Sequence, residues 1–341
     1  MLYTTVDLDP TDEQRSIIDV FGALADRTSP LDRLRDHEPL GFAAELWKQL
    51  VAVGAPGMAV PESEGGAGAG LLDVSFAVEA LGRRLAPAPL VEHAVAARLL
   101  ARVGALSPAI LDGTSIATLA LRPARDRVAR LVPGGAVAEH VVALVDGELV
   151  VVTSPPGELV PNLASSPLAD RTIADGRVVA TGDDAYRFHA GAVDEWRVLT
   201  AAALVGLGLG ALTIGIRYVT DREQFGVPIG SFQSLQHGLA DVGVGLDGAQ
   251  LLARKAAWAY DAGRVNAAEL GAMAFLFAAE QAQRATERTL HYHGGYGFME
   301  EYNIQLFYRR AKGWANVLDE PGREYARLAD LRYGPVEAAA V

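Results

Sequence analysis

Residues 218–233 read Tyr218-Val219-Thr220-Asp221-Arg222-Glu223-Gln224-Phe225-Gly226-Val227-Pro228-Ile229-Gly230-Ser231-Phe232-Gln233. The stretch closes a long uncharged helical run with Arg222, turns through Gly226 and Pro228, and reopens a helix at Ser231. An arginine fixed at such a corner is a permanently charged fork, suited to a pyrophosphate or a carboxylate. Phe225 beside it can lie against a planar ring.

Upstream, Val198 to Ile216 carries no charge and reaches the length of a membrane span. It is built from Ala, Gly, Thr and Leu, is bounded by Arg197 and Arg217, and has no aromatic belt. It therefore reads as the buried central helix of a bundle, with no membrane partner. Gly206, Gly208 and Ala211 formally fit a dinucleotide fingerprint. The preceding Thr200-Ala201-Ala202-Ala203 is poor strand sequence and no βαβ series follows, so these glycines read as a close helix contact. Downstream, Leu235, Leu239, Val242 and Leu246 keep helical spacing, as do Leu270, Ala274 and Ala278. The pattern breaks at His293-Gly294-Gly295-Tyr296-Gly297-Phe298, and a last helix starts near Tyr302.

The rest of the chain divides by texture. Residues 1–110 read as a helical domain, opened by Asp9-Pro10-Thr11-Asp12-Glu13 and carrying the apolar faces Ile17, Ile18, Phe21, Leu24 and Leu46, Leu50, Val53. The Gly-rich loop 60–70 precedes a further helix, Leu72 to Leu85, stopped by Pro87 and Pro89. Residues 111–190 hold short β-branched runs, with Asp146-Gly147 as a hairpin turn, and read as a small antiparallel β domain. Residues 191–341 form a C-terminal four-helix bundle. The fold class is mainly α with a small β domain.

With 341 residues, half of them hydrophobic, the chain can bury a large core. Its net charge of -12 excludes the basic face that a nucleic-acid partner requires. The absence of cysteine excludes disulfides and thiolate chemistry. The seven histidines form no metal set; His291 and His293 alternate at a turn and read as caps or packing, so no metal is expected. Ser63 and Ser75 lack a nucleophile elbow, and Glu300-Glu301 reads as a helix start. Met1 to Glu13 lacks the order of a signal peptide, which implies a cytoplasmic protein.

In its three-part order and its motifs the chain resembles the acyl-CoA dehydrogenase family. The carrying residues are Val60-Pro61-Glu62 with Gly65-Gly66, Val78-Glu79-Ala80-Leu81-Gly82-Arg83, Arg222-x-x-Phe225-Gly226 with Phe232-Gln233, Leu239-Ala240-Asp241, and His293-Gly294-Gly295-x-Gly297-Phe298, followed by Glu301 and Arg309. The resemblance implies FAD as cofactor, with Arg222, Phe225, Gln233, Gly294 and Gly295 reaching a flavin held by a neighbouring subunit. It implies an acyl-CoA substrate and an electron-transfer acceptor. It also places Arg197 near the CoA or active-site region; the residues alone equally allow a solvent-exposed charge beside Glu195.

Departures from the family's pattern matter. Its reaction needs a carboxylate to take the α-proton. The two positions that supply one correspond here to Leu318 and Trp196, which cannot take a proton. Asp319 and Glu195, each one residue away, are the candidates that remain, and one residue on a helix rotates a side chain through a large angle. The family's T-E-P-x-x-G-S-D stretch corresponds to Leu121-Arg122-Pro123-Ala124-Arg125-Asp126-Arg127, and its R-D-A triplet to Arg309-Arg310-Ala311, a charge reversal. This pattern resembles the smaller, degenerate subunit of heteromeric acyl-CoA dehydrogenases of the steroid side-chain type. The expected partner is a related subunit in a heterotetramer. A self-sufficient homo-oligomer and a non-catalytic scaffold are the competing readings.

Overall fold

The computed structural model describes residues 7–335; residues 1–6, the start of the stretch read as lacking a leader, lie outside the described residues. Helix α1 (Asp12–Thr28) begins where Thr11 and Gln14 cap each other: the Gln14 N–H donates to Thr11 Oγ1 (3.2 Å), and the Thr11 N–H to Gln14 Oε1 (3.0 Å). It buries Phe21, Leu24 and Ala25. Helix α2 (Ala44–Ala52) buries Leu46, Trp47 and Leu50. Helices α3 (Leu71–Gly82), α4 (Leu90–Arg102) and the short α5 (Pro108–Leu111) complete this layer. The glycine-rich loop before α3 forms only a turn of 3-10 helix at Glu62–Glu64.

The β unit follows as β1 (Ala117–Leu119), β2 (Val128–Val132), β3 (His140–Val145), β4 (Glu148–Thr153), β5 (Ala169–Thr172) and β6 (Arg177–Thr181). One sheet has the order β1-β3-β4-β6, and β2 pairs with β5 separately. Asp146 and Gly147 turn β3 into β4 with φ of 50° and 78°, both left-handed as a tight hairpin of this kind requires. The β1–β3 pair is parallel, where a wholly antiparallel unit was expected, because β2 and its loop intervene.

Helix α6 (Gly182–Asp221) starts well before Ala192, the expected resumption of helix, with Asp183 and Asp184 in its first turn. A two-strand hairpin, β7 (Glu223–Gln224) and β8 (Val227–Pro228), leads to α7 (Gln233–Asp261), α8 (Ala267–Tyr292), α9 (Ile304–Asn316) and a further helix α10 (Pro321–Tyr333). The apolar run of α6 is mostly buried, as a core helix would be. Its glycines make the close contact that their spacing implied. A Cβ on Gly206 would stand 2.1 Å from the Glu79 carbonyl oxygen, and one on Gly210 2.4 Å from that of Arg83. From the other side, a Cβ on Gly82 would meet the Ala203 oxygen at 2.4 Å. Helices α3 and α6 thus touch backbone to backbone, and these residues serve packing, not a dinucleotide.

Candidate functional site

Arg222 caps the C-terminal end of α6, its N–H donating to the Tyr218 carbonyl. Its guanidinium lies over the Tyr296 ring, 5.8 Å from the centroid. Tyr296 belongs to the short 3-10 turn Gly294–Phe298, so the helix corner and the paired-glycine bend are neighbours. Aromatic contacts lock them together. Tyr218 stacks on His293 at 3.9 Å, and Tyr296 on Tyr302 at 5.3 Å. The start of α7 joins them, since the Tyr292 hydroxyl donates to the Ser234 carbonyl (3.4 Å). Gln233 is the exposed first residue of that helix.

This corner faces outward. Phe225 is 93% exposed and Phe298 70%, with Phe232, Tyr296 and Met299 also uncovered. Phe225 and Gly226 form the β7–β8 turn with φ of 58° and 81°. A left-handed bulky residue is strained by about 1 kcal/mol or more, and such strain clusters at functional sites. A Cβ on Gly294, Gly295 or Gly226 would meet nothing within 4 Å. The chain's own packing therefore imposes no need for a bare backbone at Gly295.

A separate cleft of about 880 Å³, counting its open mouth, lies between the helical layers and the β unit. Its walls include Leu81 and Leu85, the proline-rich strip that leads into α4, Trp196 and Thr200 of α6, and Trp314 and Val317 at the end of α9. Two ionisable side chains line it, Glu92 and Arg310. Burial raises the Glu92 carboxyl above its ordinary pKa, and the Trp196 indole N–H faces it without a well-aligned hydrogen bond. The Ser166 hydroxyl and Arg310 Nη1, also on this wall, are buried without hydrogen-bond partners. Buried donors are normally satisfied, and among the described residues these three on the cleft wall lack a well-aligned partner.

The remaining candidates lie elsewhere. Arg197 is neither exposed nor on the cleft wall. Its Nε and Nη2 donate to Glu324 of α10 (2.7 and 2.9 Å) and its Nη1 to Asp194 (2.7 Å), all three residues being buried. It clamps the C-terminal helix, in place of the expected CoA contact or free charge. Glu195 turns away from the cleft that its neighbour Trp196 lines, and is tied to Arg98 (3.1 Å) and Arg102. Asp319 accepts the Glu320 N–H, which with Arg323 holds its carboxyl below the ordinary range. Leu318 is buried, and its carbonyl accepts from Arg122 (3.3 Å). Glu92 was not singled out from sequence, because an acid in the first turn of a helix reads as a partner of the helix dipole. The signal for Arg310 was its charge reversal.

The described chain thus combines a helical bundle, an outward aromatic corner and an inner apolar cleft. Residues 11–107 match the acyl-CoA dehydrogenase N-terminal domain, and residues 187–315 the acyl-CoA dehydrogenase C-terminal domain. The chain is 30% identical to acyl-CoA dehydrogenase IpdE2 of Mycolicibacterium smegmatis, over 93% of this chain and 98% of that one. Among solved structures it is similar to the ChsE4-ChsE5 complex from Mycobacterium tuberculosis (TM-score 0.84, 25% identity, 97% of this chain and 100% of that one). It is also similar to a variant of the steroid ACAD Tcur3481-Tcur3483 (TM-score 0.83, 27% identity, 94% and 98%). The chain belongs to the acyl-CoA dehydrogenase family.

Proposed function

We propose that this chain is a subunit of an FAD-dependent acyl-CoA dehydrogenase, desaturating an acyl-CoA thioester between its α and β carbons, and that it completes the flavin site of a related partner subunit. The observation that carries this reading is the convergence of Arg222, Tyr296 and the start of α7 on one exposed apolar corner. The residues suit such a cofactor. Arg222 would balance the diphosphate, Phe225 would lie against a ring, Gln233 would hydrogen-bond near the adenosine end, and Gly294 and Gly295 would let the backbone come close. FAD, when bound there, would supply the hydride acceptor for the β-carbon, with an electron-transfer acceptor as the oxidant that restores it. The similarity to a two-protein complex and to an enzyme described as a steroid ACAD supports a heteromeric assembly and a bulky, ring-bearing acyl group. A cytoplasmic location suits a chain whose most apolar helix is core.

The α-proton must go to a base. Leu318 and Trp196 cannot take it, Glu195 is held by two guanidiniums, and Asp319 is held ionised on the surface side. In the heteromeric reading the partner supplies that carboxylate. A self-sufficient homo-oligomer is favoured by one observation: among the described residues, Glu92 is the only carboxylate that lines the cleft. A carboxylate in the cleft meets the reaction's need for a base.

Expression decides between them. The chain alone should be colourless and inactive on acyl-CoAs with an artificial electron acceptor, and should become yellow and active with a larger homologous subunit. Yellow, active protein from this chain alone would reject the partner requirement, and loss of that activity in Glu92→Gln would then assign the base. Colourless protein with every homologue would leave only a scaffold role.

A further inference from the structure

Beside the cleft, two guanidiniums share one carboxylate. Arg309 and Arg310 both face Glu38. Arg309 donates to both oxygens of that carboxylate, at 2.8 and 3.0 Å, and also to Gln305 and the Leu163 carbonyl. Arg310 approaches the same carboxylate at 3.2 Å, but its Nη1 points off-axis and makes no hydrogen bond. Arg310 is 3% exposed and lines the cleft. Burial pulls its pKa down to about 10, more strongly than Glu38 holds it up, and the positive charges of Arg309 and Arg35 act in the same direction as burial. Arg35 brings no relief, since its donors go to the neutral Asn303 side chain and the Tyr302 carbonyl. One carboxylate therefore serves two guanidiniums, and Arg310, which lines the cleft, has the poorer share. A buried charge in that position calls for an anion.

An independent feature points the same way. The Ser166 hydroxyl, on the loop that α9 packs against, lines the same cleft and is buried with no partner. The other ionisable group there, Glu92, is biased by burial toward its neutral form, which lessens its repulsion of an incoming anion.

We propose that Arg310 and Ser166 form a carboxylate-binding subsite, so that the cleft takes a ligand with an apolar body and an anionic end. Resting on the function proposed above, the substrate class is an acyl-CoA whose acyl group carries its own carboxylate. A phosphate of the cofactor would offer the same chemistry, and the test separates the two sources.

The test is calorimetric titration of the protein as purified, with any subunit that accompanies it, against octanoyl-CoA and its ω-carboxy counterpart, with and without FAD. The ω-carboxy thioester should bind about tenfold tighter, as one charge-assisted contact implies. The preference should persist with FAD and vanish in Arg310→Met. The ligand-free melting temperature of Arg310→Met should hold or rise, because Glu38 keeps Arg309; a structural ion pair would lower it. Should that variant fail to fold, Ser166→Ala should reduce the preference roughly threefold. Equal affinity for the two thioesters overturns the subsite while leaving the acyl-CoA reading intact. Binding of neither overturns both, and a preference that disappears when FAD is added assigns the cation to the cofactor and rejects the substrate subsite.

Discussion

The Arg222 guanidinium stands over the face of Tyr296, 5.8 Å from its centroid, so the helix corner and the glycine bend act as one surface. A π face orients a cation and leaves its hydrogen-bond donors free. Arg222→Ala should change folding stability by less than about 0.5 kcal/mol, since the side chain is exposed. Flavin retention in the assembled enzyme should fall about tenfold or more. Absorbance after desalting measures it, and unchanged retention would remove Arg222 from the cofactor site.

Phe225 gives a prediction with two signs. Asparagine suits the first position of a turn with two left-handed residues far better than phenylalanine does. Phe225→Asn should stabilise the isolated chain by up to about 1 kcal/mol and reduce its self-association, yet weaken assembly with the partner. Thermal melting and sedimentation test the two halves, and improved assembly would contradict the interface.

Arg197 and Glu324 bind α10 to the bundle through two parallel hydrogen bonds inside the protein. Glu324→Ala leaves a buried guanidinium to compete with Arg327 for Asp194. The expected loss is about 3–5 kcal/mol in urea unfolding. Asp319→Ala, which breaks a pair whose arginine is largely exposed, should cost less than about 1 kcal/mol. Similar small losses at both sites would refute the clamp.

Acid should destabilise the fold before most carboxylates titrate. His93 is fully buried beside Trp47, its Nε2 at 3.0 Å from the Ile110 carbonyl and its Nδ1 accepting the Ala117 N–H. Burial lowers its pKa to about 4, and lowers those of His189 and His293 as well. The unfolded chain, with histidine near about 6.5, takes up these protons first. The stabilisation from neutral His93 is thus complete above about pH 6.5 and is lost as pH falls toward 4, by up to about 1.4 kcal/mol per pH unit. Urea unfolding across that interval tests this, and a flat profile would contradict it.

Two glycines of the bundle should respond oppositely to alanine. At Gly206 the new methyl group meets a backbone oxygen at 2.1 Å and should cost about 1–3 kcal/mol or more. At Gly243, within α7, nothing lies within 4 Å, and alanine should stabilise by about 0.5–1 kcal/mol. Matching effects at the two positions would argue against the α3–α6 contact.

What could be read from the sequence was local. Arg222, Gly226 and Pro228 mark their corner within a few residues, and Asp146-Gly147 carries its own hairpin chemistry. The thinly polar composition of α6 pointed to burial, and burial is what its glycines permit. Partnerships across the chain were silent. Nothing near Arg197 announces Glu324, because the pair forms only after α10 folds back on α6. Glu92 looks like an ordinary first-turn acid until the proline-rich strip beside it becomes a cleft wall. The start of α6 was misplaced because Gly182-Asp183-Asp184 has turn composition, while the same acids favour a helix N-terminus. The parallel β1–β3 pairing depends on strands that sequence neighbours do not define.

The seam of Gly82, Gly206 and Gly210 has a consequence for access. Helices in contact through their main chains have no side-chain cushion to repack, so they cannot part by small increments. That flank of the cleft is a fixed jamb. A bulky guest has to fit the opening that Gly82 and Ala203 frame, since it cannot prise these two helices apart.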